Sequence, residues 1–455
     1  MSETLWGGKL AGEVSAYTAG DDRVWDRRLV EWDIIGTLGH ALGLAAAGIL
    51  TAEEHERLRA ALRRALADAR SGGLTVTAAD EDVHTALERR LVRELGELGE
   101  KVHTGRSRND QVLVDLRLYV KDRLLAVTGR LLDASQALVD LARRHRRVVW
   151  PGYTHQRRAM PSSVGLWAAG FAEALLDDLE PLEAALRLVD RSPLGSAAGF
   201  GVPLPLDRAL VARRLGFASA QHNVTAVQPS RGKLDVAVLA ALWQVGHDLG
   251  KLAFDVILFS SEEFGFLELP AELATGSSIM PQKRNPDVFE LTRARAGVIE
   301  GCLHEAMAVA GKLPSGYHRD LQMLKGPLMR GLNTAEAMLT MIAFAVPKLG
   351  VNREVCAAAV GGDILATDEV LRRVRGGEPF RAAYRAVAAE VRDGVHPPPL
   401  GADEILAARS HAGGAGNLGL GELGTGIRTR RRGLERRRAA FSAALAALTG
   451  DEGGG

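Results

Sequence analysis

Apolar residues recur every three or four positions along the middle of the chain, the spacing that puts them on one face of an α-helix. Residues 166–189 and 234–259 have this period, and Pro181 is expected to kink or break the first of the two stretches. Such long helices need partners along their whole length, so the pattern predicts a helical bundle. The longest stretch has apolar residues at Val112, Leu116, Val120, Leu124, Val127, Leu131, Ala134, Leu138 and Leu141.

Shorter segments flank this central region. Residues 51–70 are expected to form a helix whose first turn carries a capping box between Thr51 and Glu54. From about Asn352 onward the pattern indicates shorter helices, which a His-Pro-Pro-Pro sequence interrupts and a Gly-rich tail follows. The whole chain therefore indicates a mainly α fold.

Composition agrees with a helical, globular protein. The 455 residues are 46% hydrophobic and only 5% aromatic, which allows a large core and favours helix over strand throughout. The 57 basic and 56 acidic residues nearly cancel, so no overall field attracts nucleic acid or anionic lipid. Cys302 and Cys356 lack the spacing of a zinc site or redox pair, so we expect two reduced thiols.

The sequence also predicts where the protein resides. The first residues lack a basic segment followed by an apolar run, so no signal peptide is expected. The uncharged apolar runs at 41–50 and 337–346 are about half as long as a membrane span requires. We therefore expect a soluble, cytoplasmic protein without a membrane or nucleic-acid partner.

Polar residues of catalytic type gather in four segments. The first comprises the sequences DEDVHTALE and HTGRSRNDQ, the second of which ends where the long helix begins. Ser107, Arg108 and Asn109 would then lie at a helix N-terminus, whose free N–H groups favour an anion. The Arg108 fork suits a carboxylate. The alternative is a solvated helix end capped by Asn109 or Asp110.

The second segment is the sequence PGYTH, which ends at His155 and is expected to break the helical region and open a new segment. A histidine beside Thr154 can act as an acid or base near neutral pH. The alternative is an ordinary surface histidine.

The third segment is the sequence GSSIMPQKRNP, residues 276–286, which fits neither a helix nor a strand pattern. Lys283 and Asn285 offer a cation and an amide donor just before a helical stretch. Ile279 and Met280 are unusual in a polar loop and indicate a lid that closes over a ligand. The alternative is an exposed turn.

The fourth segment is the sequence GYHRDLQMLK. A helix that starts near Asp320 would place Gln322 and Lys325 on one face, with Tyr317 leading into it. The alternative is a helix N-terminus with incidental charges.

Together and in this order, the four segments resemble the argininosuccinate lyases of the fumarase/aspartase superfamily. GSSIMPQKRNP is similar to the superfamily signature GSSxMPxKxNP, and the sequences HTGRSRNDQ, DEDVHTALE, PGYTH and YHRDLQ narrow the resemblance to the lyases of arginine synthesis. LWGG near the start and SPLGSAAG at 192–199 are also similar to that family. The likeness covers residues 4–327 and fades beyond them.

The resemblance implies three mainly helical domains. We place them at residues 1–106, 107–354 and 355–455, the second being a long-helix bundle with the catalytic loop and the third a small helical domain with the Gly-rich tail. The implied assembly is a homotetramer with a shared helical core, in which residues from different subunits build each active site.

The reaction implied is the reversible β-elimination of argininosuccinate to L-arginine and fumarate, with no cofactor and no metal. Its difficulty lies in removing a proton next to a carboxylate, which creates a dianion that donors and cations must stabilise. By resemblance Ser277 is the base, activated by Lys283, while His155, oriented by Glu290, serves the departing nitrogen. The substrate-binding residues implied are His84, Ser107, Arg108, Asn109, Thr154, Asn285, Tyr317, Gln322 and Lys325.

These binding residues divide by the part of the substrate that they hold. Residues 107–109 are implied to bind the succinyl carboxylates, and His84 lines the site. Tyr317, Gln322 and Lys325 are implied to bind the amino-acid end of the arginine part.

The chain departs from the family pattern at three places. Arg157 stands where a substrate-contacting glutamine is usual, and TAGDDR at 18–23 replaces the motif FNASID. The family motif NSLDAVSDRD is NVTAVQPSRG here, which keeps Asn223 and Arg231. The three aspartates of this motif are replaced by Ala226, Ser230 and Gly232. These departures from the family pattern indicate a divergent subgroup.

Two alternatives stay open at this point. A lyase of the same superfamily that acts on a different succinyl-amine would keep the 276–286 loop and His155. A structural protein of the same fold, like the lens δ-crystallins, would require loss of catalytic residues. Ser277, Lys283, His155 and Glu290 are all present.

Overall fold

The computed structural model describes residues 2–3, 9–77 and 80–451 of the chain. The LWGG sequence and the last four residues of the Gly-rich tail lie outside the described residues. Within the described part, α-helices predominate and the strands are short. None of the helices in that part is both long and apolar enough to cross a membrane.

The N-terminal region contains a short ribbon and six helices. Its capping box is present as predicted, because Glu54 N donates to Thr51 Oγ1 at 3.1 Å and Thr51 N donates to the Glu54 carboxylate at 2.9 Å. Its elements are β1 (Ser2–Glu3), β2 (Lys9–Leu10), α1 (Gly12–Ala19), α2 (Asp22–Asp26), α3 (Val30–Ala46), α4 (Ala52–Arg70), α5 (Val83–Leu95) and α6 (Glu97–Lys101).

The central region is the predicted bundle of long helices. Its helices are α7 (Arg108–Arg144), α8 (Val164–Asp177), α9 (Leu179–Val189), α10 (Arg208–Arg214), α11 (Lys233–Phe259), α12 (Asp287–Ala310) and α13 (Lys325–Ala345). α7 is 37 residues long, and α3, α8 and α13 pack against it. α11, α12 and α13 pack against one another. The apolar face predicted for α7 is buried along its whole length.

The break predicted near Pro181 is present, but it precedes the proline. α8 ends at Asp177 and α9 begins at Leu179, so Pro181 lies in the first turn of α9. A first-turn residue has no N–H partner inside the helix, and proline is tolerated there. The change of helix direction therefore occurs at Asp178.

A β-hairpin corrects the expectation of helix throughout. The sequence PGYTH ends strand β3 (Val149–Thr154), which pairs antiparallel with β4 (Arg157–Ser163). The hairpin forms because Trp150, only 3% exposed, packs against Phe259 and Phe266 with ring centres 4.9 and 5.9 Å away. This long-range aromatic packing outweighs the helical composition of the chain.

The remaining strands are two-residue pieces that join distant loops. The parallel pair is β5 (Arg191–Ser192) with β6 (Ser219–Ala220). The antiparallel pairs are β7 (Leu267–Glu268) with β10 (Gly350–Val351) and β8 (Thr275–Gly276) with β9 (Arg284–Asn285). Short 3-10 turns occur at Thr225–Ser230, Ala271–Leu273, Arg319–Leu324, Val346–Lys348 and Gly362–Leu365.

The C-terminal region has the short helices expected there, but it ends in a helix of 30 residues that the sequence pattern did not indicate. This helix, α18 (Leu420–Thr449), packs against α3, α7, α8 and α10. Its large buried side chains are Ile427, Leu434, Phe441 and Leu448, a narrow stripe of residues seven positions apart within an arginine-rich sequence. The domain boundaries stay a prediction. The helices of this region are α14 (Arg353–Ala358), α15 (Ala366–Arg375), α16 (Phe380–Arg392), α17 (Ala402–Ala407) and α18 (Leu420–Thr449).

The junction between α8 and α9 buries a carboxyl group. Asp178 is 5% exposed, and none of the described residues forms a hydrogen bond with its Oδ2. Burial, together with the nearby carboxylates of Asp248 and Asp177, raises the pKa of Asp178 to about 8. The two cysteines, Cys302 and Cys356, are also buried and are not joined in a disulfide.

Replacement of Asp178 by asparagine should make stability less dependent on pH. The pKa of Asp178 is higher in the folded state than in the unfolded state. The free energy of unfolding therefore includes a favourable contribution from protonated Asp178 at acidic pH, and this contribution is lost as pH rises towards 8. Asp178→Asn should therefore be more stable than the wild type at pH 8, by roughly 1–4 kcal/mol, and the difference should shrink towards pH 5. Thermal unfolding at both pH values measures this.

The matched control for this prediction is Asp393→Asn, which changes an exposed aspartate at the end of α16. It should shift the melting temperature little at either pH. An effect of Asp178→Asn that is the same at pH 5 and pH 8 would contradict the assignment of a raised pKa.

Candidate active site

One buried carboxylate organises the N-terminus of α7. Asp110 Oδ1 accepts a hydrogen bond from Ser107 N at 2.9 Å, and Oδ2 accepts from Gly195 N at 3.0 Å and Ala197 N at 2.8 Å. Burial raises the pKa of Asp110 to about 6 against the opposing effect of these N–H groups. The carboxylate thus joins the HTGRSRNDQ sequence to the SPLGSAAG loop, which lies far from it in sequence.

The predicted position of residues 107–109 at a helix N-terminus is confirmed, but the cap is Ser107 and not Asn109 or Asp110. Ser107 Oγ accepts from Asn109 N at 3.3 Å, and the side chain of Asp110 closes a capping box. All three residues at 107–109 are half-buried. The α7 N-terminus therefore offers positive potential at a partly accessible position.

Arg108 contacts the N-terminus of α5. Its guanidinium forms an ion pair with Asp82, and Nη2 donates to Thr85 Oγ1 at 3.1 Å. Burial by itself would raise the pKa of Asp82, but His84 and Arg108 lower it to about 2. The first segment therefore folds into one cluster of helix ends and charges.

His84 lies in this cluster, 4% exposed in the first turn of α5. Its Nδ1 is 2.9 Å from Asp33 Oδ1, which also accepts from Gln111 Nε2 at 2.7 Å. Burial raises the pKa of Asp33, but the opposing effects of His84, Arg106 and Gln111 lower it overall. An ionised carboxylate can only accept, so Nδ1 of His84 carries the proton and Nε2 is left for another partner.

Asp115 faces the same group from α7. Its Oδ2 is 3.7 Å from His84 Nδ1, and burial together with Asp33 raises the pKa of Asp115 well above its usual range. Asp33, His84 and Asp115 are the only residues in the described part whose side chains could together hold a metal ion. The raised pKa favours the neutral acid at Asp115, although the nearby Arg106 cation opposes the rise, and the absence of a metal stays a prediction.

Lys325 begins α13 and is 2% exposed. Its Nζ lies 2.7 Å from Asp26 Oδ1 and 3.3 Å from Asp22 Oδ1. Burial would lower the pKa of Lys325, but the two carboxylates raise it. Asp26 Oδ2 also accepts from Val83 N at 3.2 Å, so one carboxylate joins α2, α5 and α13.

The fourth segment is not the single helix expected from near Asp320. A 3-10 turn covers Arg319–Leu324, and the α-helix begins only at Lys325. Gln322 is half-buried on this turn. Tyr317 precedes it, with the Arg231 guanidinium 5.2 Å from the centre of its ring.

His155 lies at the tip of the β3–β4 hairpin, which separates α7 from α8, so the predicted break in the helical region is present and the new segment is a hairpin. His155 and Gln156 both have left-handed backbone angles, with φ of 53° and 58°, as a two-residue hairpin turn requires. Thr154 pairs with Arg157 across the turn, and all four of these residues are exposed.

The 276–286 loop closes the β8–β9 pair, so its ends form a short ribbon that the sequence pattern did not predict. Ser277 Oγ accepts from Ile279 N at 3.3 Å and from Met280 N at 3.1 Å. Ile279 is 82% exposed, and Lys283 is exposed as well. The loop reaches into solvent, Asn285 lies near its end on β9, and Glu290 follows in the first turn of α12.

The chain brings together only part of the predicted site. The first and fourth segments meet through Asp26, and Arg319 Nη2 lies 3.5 Å from Glu81 Oε1. No hydrogen bond or ion pair between described residues joins His155 to Glu290, or joins either the hairpin tip or the 276–286 loop to that cluster. The predicted site residues therefore lie in two separate groups on one chain.

Sequence reasoning missed the acidic partners of the predicted residues. A signal for two of them was present, because Asp33 interrupts the apolar run of α3 and Asp115 interrupts that of α7. Carboxylates are rarely buried without a partner. The missed residues are Asp22, Asp26, Asp33, Asp82 and Asp115.

Solved structures share the fold along nearly the whole chain. An EDDS lyase variant with bound fumarate has a TM-score of 0.77 at 23% identity, covering 98% of this chain and 96% of its own. A class II fumarase from Schistosoma mansoni has a TM-score of 0.72 at 18% identity, covering 90% and 94%. The expected mainly α fold of the fumarase/aspartase type is thereby confirmed.

Proteins with similar sequences identify the family more specifically than the shared fold does. The family described as "Lyase" matches residues 9–301. An argininosuccinate lyase of Sorangium cellulosum is 48% identical over 425 residues, which are 93% of this chain and 98% of that relative. One from Stenotrophomonas maltophilia is 42% identical over 427 residues, with the same coverage of both chains. With such identity over nearly its whole length, the chain belongs to the argininosuccinate lyase family.

Proposed function

We propose that the chain catalyses the reversible β-elimination of argininosuccinate to L-arginine and fumarate in arginine biosynthesis, as an amidine-lyase. The observation that carries this proposal is the 48% identity to an argininosuccinate lyase over 93% of the chain. The functional segments support it, since every catalytic residue implied by the resemblance is present.

Ser277 is the base in this proposal. Its Oγ accepts two backbone N–H groups of its own loop, and hydrogen bonds to the charged form favour ionisation. Lys283 on the same loop adds positive charge. The Ser277 alkoxide takes the proton next to the substrate carboxylate, and the electron pair left on carbon expels the guanidino nitrogen to give fumarate.

The departing nitrogen needs a proton on the other side of the substrate. His155 supplies it, directly or through water, with Glu290 orienting the imidazole once the subunits assemble. Thr154, Lys283 and Asn285 stabilise the dianion formed in the first step. No step uses a metal or a cofactor.

The buried cluster binds the two ends of the substrate. Residues 107–109 bind the succinyl carboxylates at the α7 N-terminus, where N–H groups and Arg108 favour an anion. Tyr317 and Gln322 contact the amino-acid end of the arginine part. Lys325 acts there together with Asp22 and Asp26, and this group suits a substrate end that carries both an ammonium and a carboxylate.

We propose further that the active protein is a cytoplasmic homotetramer with active sites shared between subunits. The exposed hairpin tip and the exposed 276–286 loop support this, because neither contacts the buried cluster of its own chain. Large exposed apolar side chains on α11, α12 and α13 also support it, since such surfaces mark interfaces. They are Trp243, Phe254, Leu291, Val298, Met307, Met341 and Phe344.

A second candidate is a lyase of the same superfamily for another succinyl-amine. Arg157 favours it, because this exposed arginine follows the hairpin turn where the family usually has a glutamine that contacts substrate. The 48% identity to an argininosuccinate lyase outweighs this single position.

The purified protein should release fumarate from argininosuccinate, and Ser277→Ala should lower kcat by about a thousand-fold or more with little change in KM. The reason is that the substitution removes the base and leaves the binding residues in place. Ultraviolet absorbance of fumarate measures the rate.

Ser278→Ala is the matched control, since it removes the neighbouring hydroxyl and should keep most activity. Near-normal turnover by Ser277→Ala would exclude Ser277 as the base. Fumarate release from adenylosuccinate or aspartate, but not from argininosuccinate, would support the second candidate.

Mixed tetramers should recover activity from two inactive variants. If Ser277 and His155 of one site come from different subunits, Ser277→Ala and His155→Asn subunits reassembled together should regain up to about a quarter of wild-type activity. Activity measurements before and after subunit exchange test this.

The control for the mixing experiment combines Ser277→Ala with Lys283→Met, two changes on the same loop. That mixture should stay inactive, because no loop in it is intact. Failure of the first mixture to recover activity, or a solution mass near 48.6 kDa, would rule out shared sites.

Asp33 and Asp115 should differ sharply when each is replaced by asparagine. Asp33→Asn removes the ionised acceptor that orients His84 and should lower kcat/KM by roughly ten- to a hundred-fold, mainly through KM. Asp115→Asn replaces an acid that is already neutral and should change kcat/KM by less than about three-fold. Steady-state kinetics of both variants, with melting temperatures, measure the difference. Equal losses would contradict the proposed protonation of Asp115.

A further inference from the structure

A narrow cavity of about 30 Å³ lies between α7, α11 and the 3-10 turn before α13. A single water needs about 10–15 Å³, so the cavity has room for one or two waters or for one small ion. Its walls are leucine and valine side chains. The polar residues that line it are Arg117, Ser230, Arg231 and Asp235.

Arg231 reaches this cavity without an acceptor. The residue is 6% exposed, and neither Nη1 nor Nη2 has a hydrogen-bond partner in the described part of the chain. Its guanidinium lies over the face of Tyr317, 5.2 Å from the centre of the ring. A buried guanidinium with unused N–H groups is costly, so a ligand that accepts from them is favoured.

Arg117 lines the same cavity and has only neutral partners. It donates to the Arg191 carbonyl at 2.5 Å, to Gln221 Oε1 at 2.6 Å and to Ser230 Oγ at 3.0 Å. Its Nε is buried and has no partner among the described residues. The cavity therefore has two buried cations, and neither forms an ion pair within the described part of the chain.

The nearest acid does not neutralise both cations. Asp235 accepts from Gly232 N at 2.8 Å at the N-terminus of α11, and no ion pair within 4.0 Å joins it to Arg117 or Arg231 in the described part of the chain. The helix N-terminus adds further positive potential. Asp22 also acts on Arg231, but Arg191 and Arg208 add positive charge near Arg117, so positive charge exceeds negative charge around the cavity.

The sequence shows how this surplus arises. The segment NVTAVQPSRG keeps Arg231, but Ser230 occupies one of the positions where the family motif has an aspartate. Ser230 Oγ already lies 3.0 Å from Arg117 Nη2, so a carboxylate at this position would neutralise the pair from within the chain. Relative to the family motif, this chain has the arginine at position 231 but lacks the aspartate at position 230.

We propose that the cavity binds one small monovalent inorganic anion of the size of chloride or bromide. The unpartnered N–H groups of Arg231 and Arg117 hold it, and it replaces the missing carboxylate. A cavity of about 30 Å³ suits a monatomic anion, and the excess of positive over negative charge around it favours an anion as the occupant. Water could accept the same hydrogen bonds but would leave the charge uncompensated.

The first test is the melting temperature of the full-length protein in sodium bromide and in sodium gluconate at the same ionic strength. Gluconate is too large for the cavity. The wild type should melt about 2–5 °C higher in bromide, with a saturable dependence on concentration. Equal melting temperatures in the two salts would overturn the proposal.

The second test restores the carboxylate. Ser230→Asp should melt higher than the wild type in gluconate and should lose the response to bromide. Ser230→Asn, which has the same shape without the charge, should keep the response. A bromide response that persists undiminished in Ser230→Asp would place the ion elsewhere and contradict the proposal.

The third test uses crystals of the wild type grown in bromide, and it does not depend on whether Ser230→Asp folds. An anomalous peak within hydrogen-bond distance of Arg231 in the wild type is the expected result. Density for water alone in the cavity would overturn the proposal.

Discussion

The contact on which the rest of the structure depends is the buried carboxylate of Asp110. It accepts N–H groups from Ser107 on one side and from Gly195 and Ala197 on the other, which offsets the cost of its burial. In this way it fixes where α7 begins. Since α3, α8, α13 and α18 all pack against α7, the position of that one turn sets the register of the bundle and the direction in which residues 107–109 face.

Buried charges then hold together the helices around Lys325 and His84. Asp26 links α2, α5 and α13 through Lys325, and Asp33 and Asp115 hold His84 between α3 and α7. Removal of one partner from such a pair costs more than the pair itself contributes, so each member of the cluster depends on the others. The hairpin tip and most of the 276–286 loop are exposed by comparison. In the proposed tetramer, the buried cluster of one chain and the exposed loops of neighbouring chains would complete one active site.

The sequence predicted the secondary structure correctly where residues close together in the chain determine it. The helices α4, α7 and α11 follow from periodicity, and the break at Asp178 follows from a nearby proline. The hairpin was missed because Trp150 is held by residues that come a hundred positions later. The length of α18 was missed because its buried stripe is narrow and diluted by arginines. Motifs located the four functional segments, but the partners of His84 and Lys325 come from distant helices that no local pattern connects.

The hydrogen bonds of Ser277 have one more consequence. The hydroxyl and the two N–H groups that it accepts belong to four successive residues, 277–280. If this stretch moves as a unit, the local field at the oxygen stays the same and only its distance to the substrate changes. In the proposed mechanism, the tendency of Ser277 to ionise depends on this short stretch alone, while the timing of the reaction depends on where a neighbouring subunit of the proposed tetramer holds the stretch.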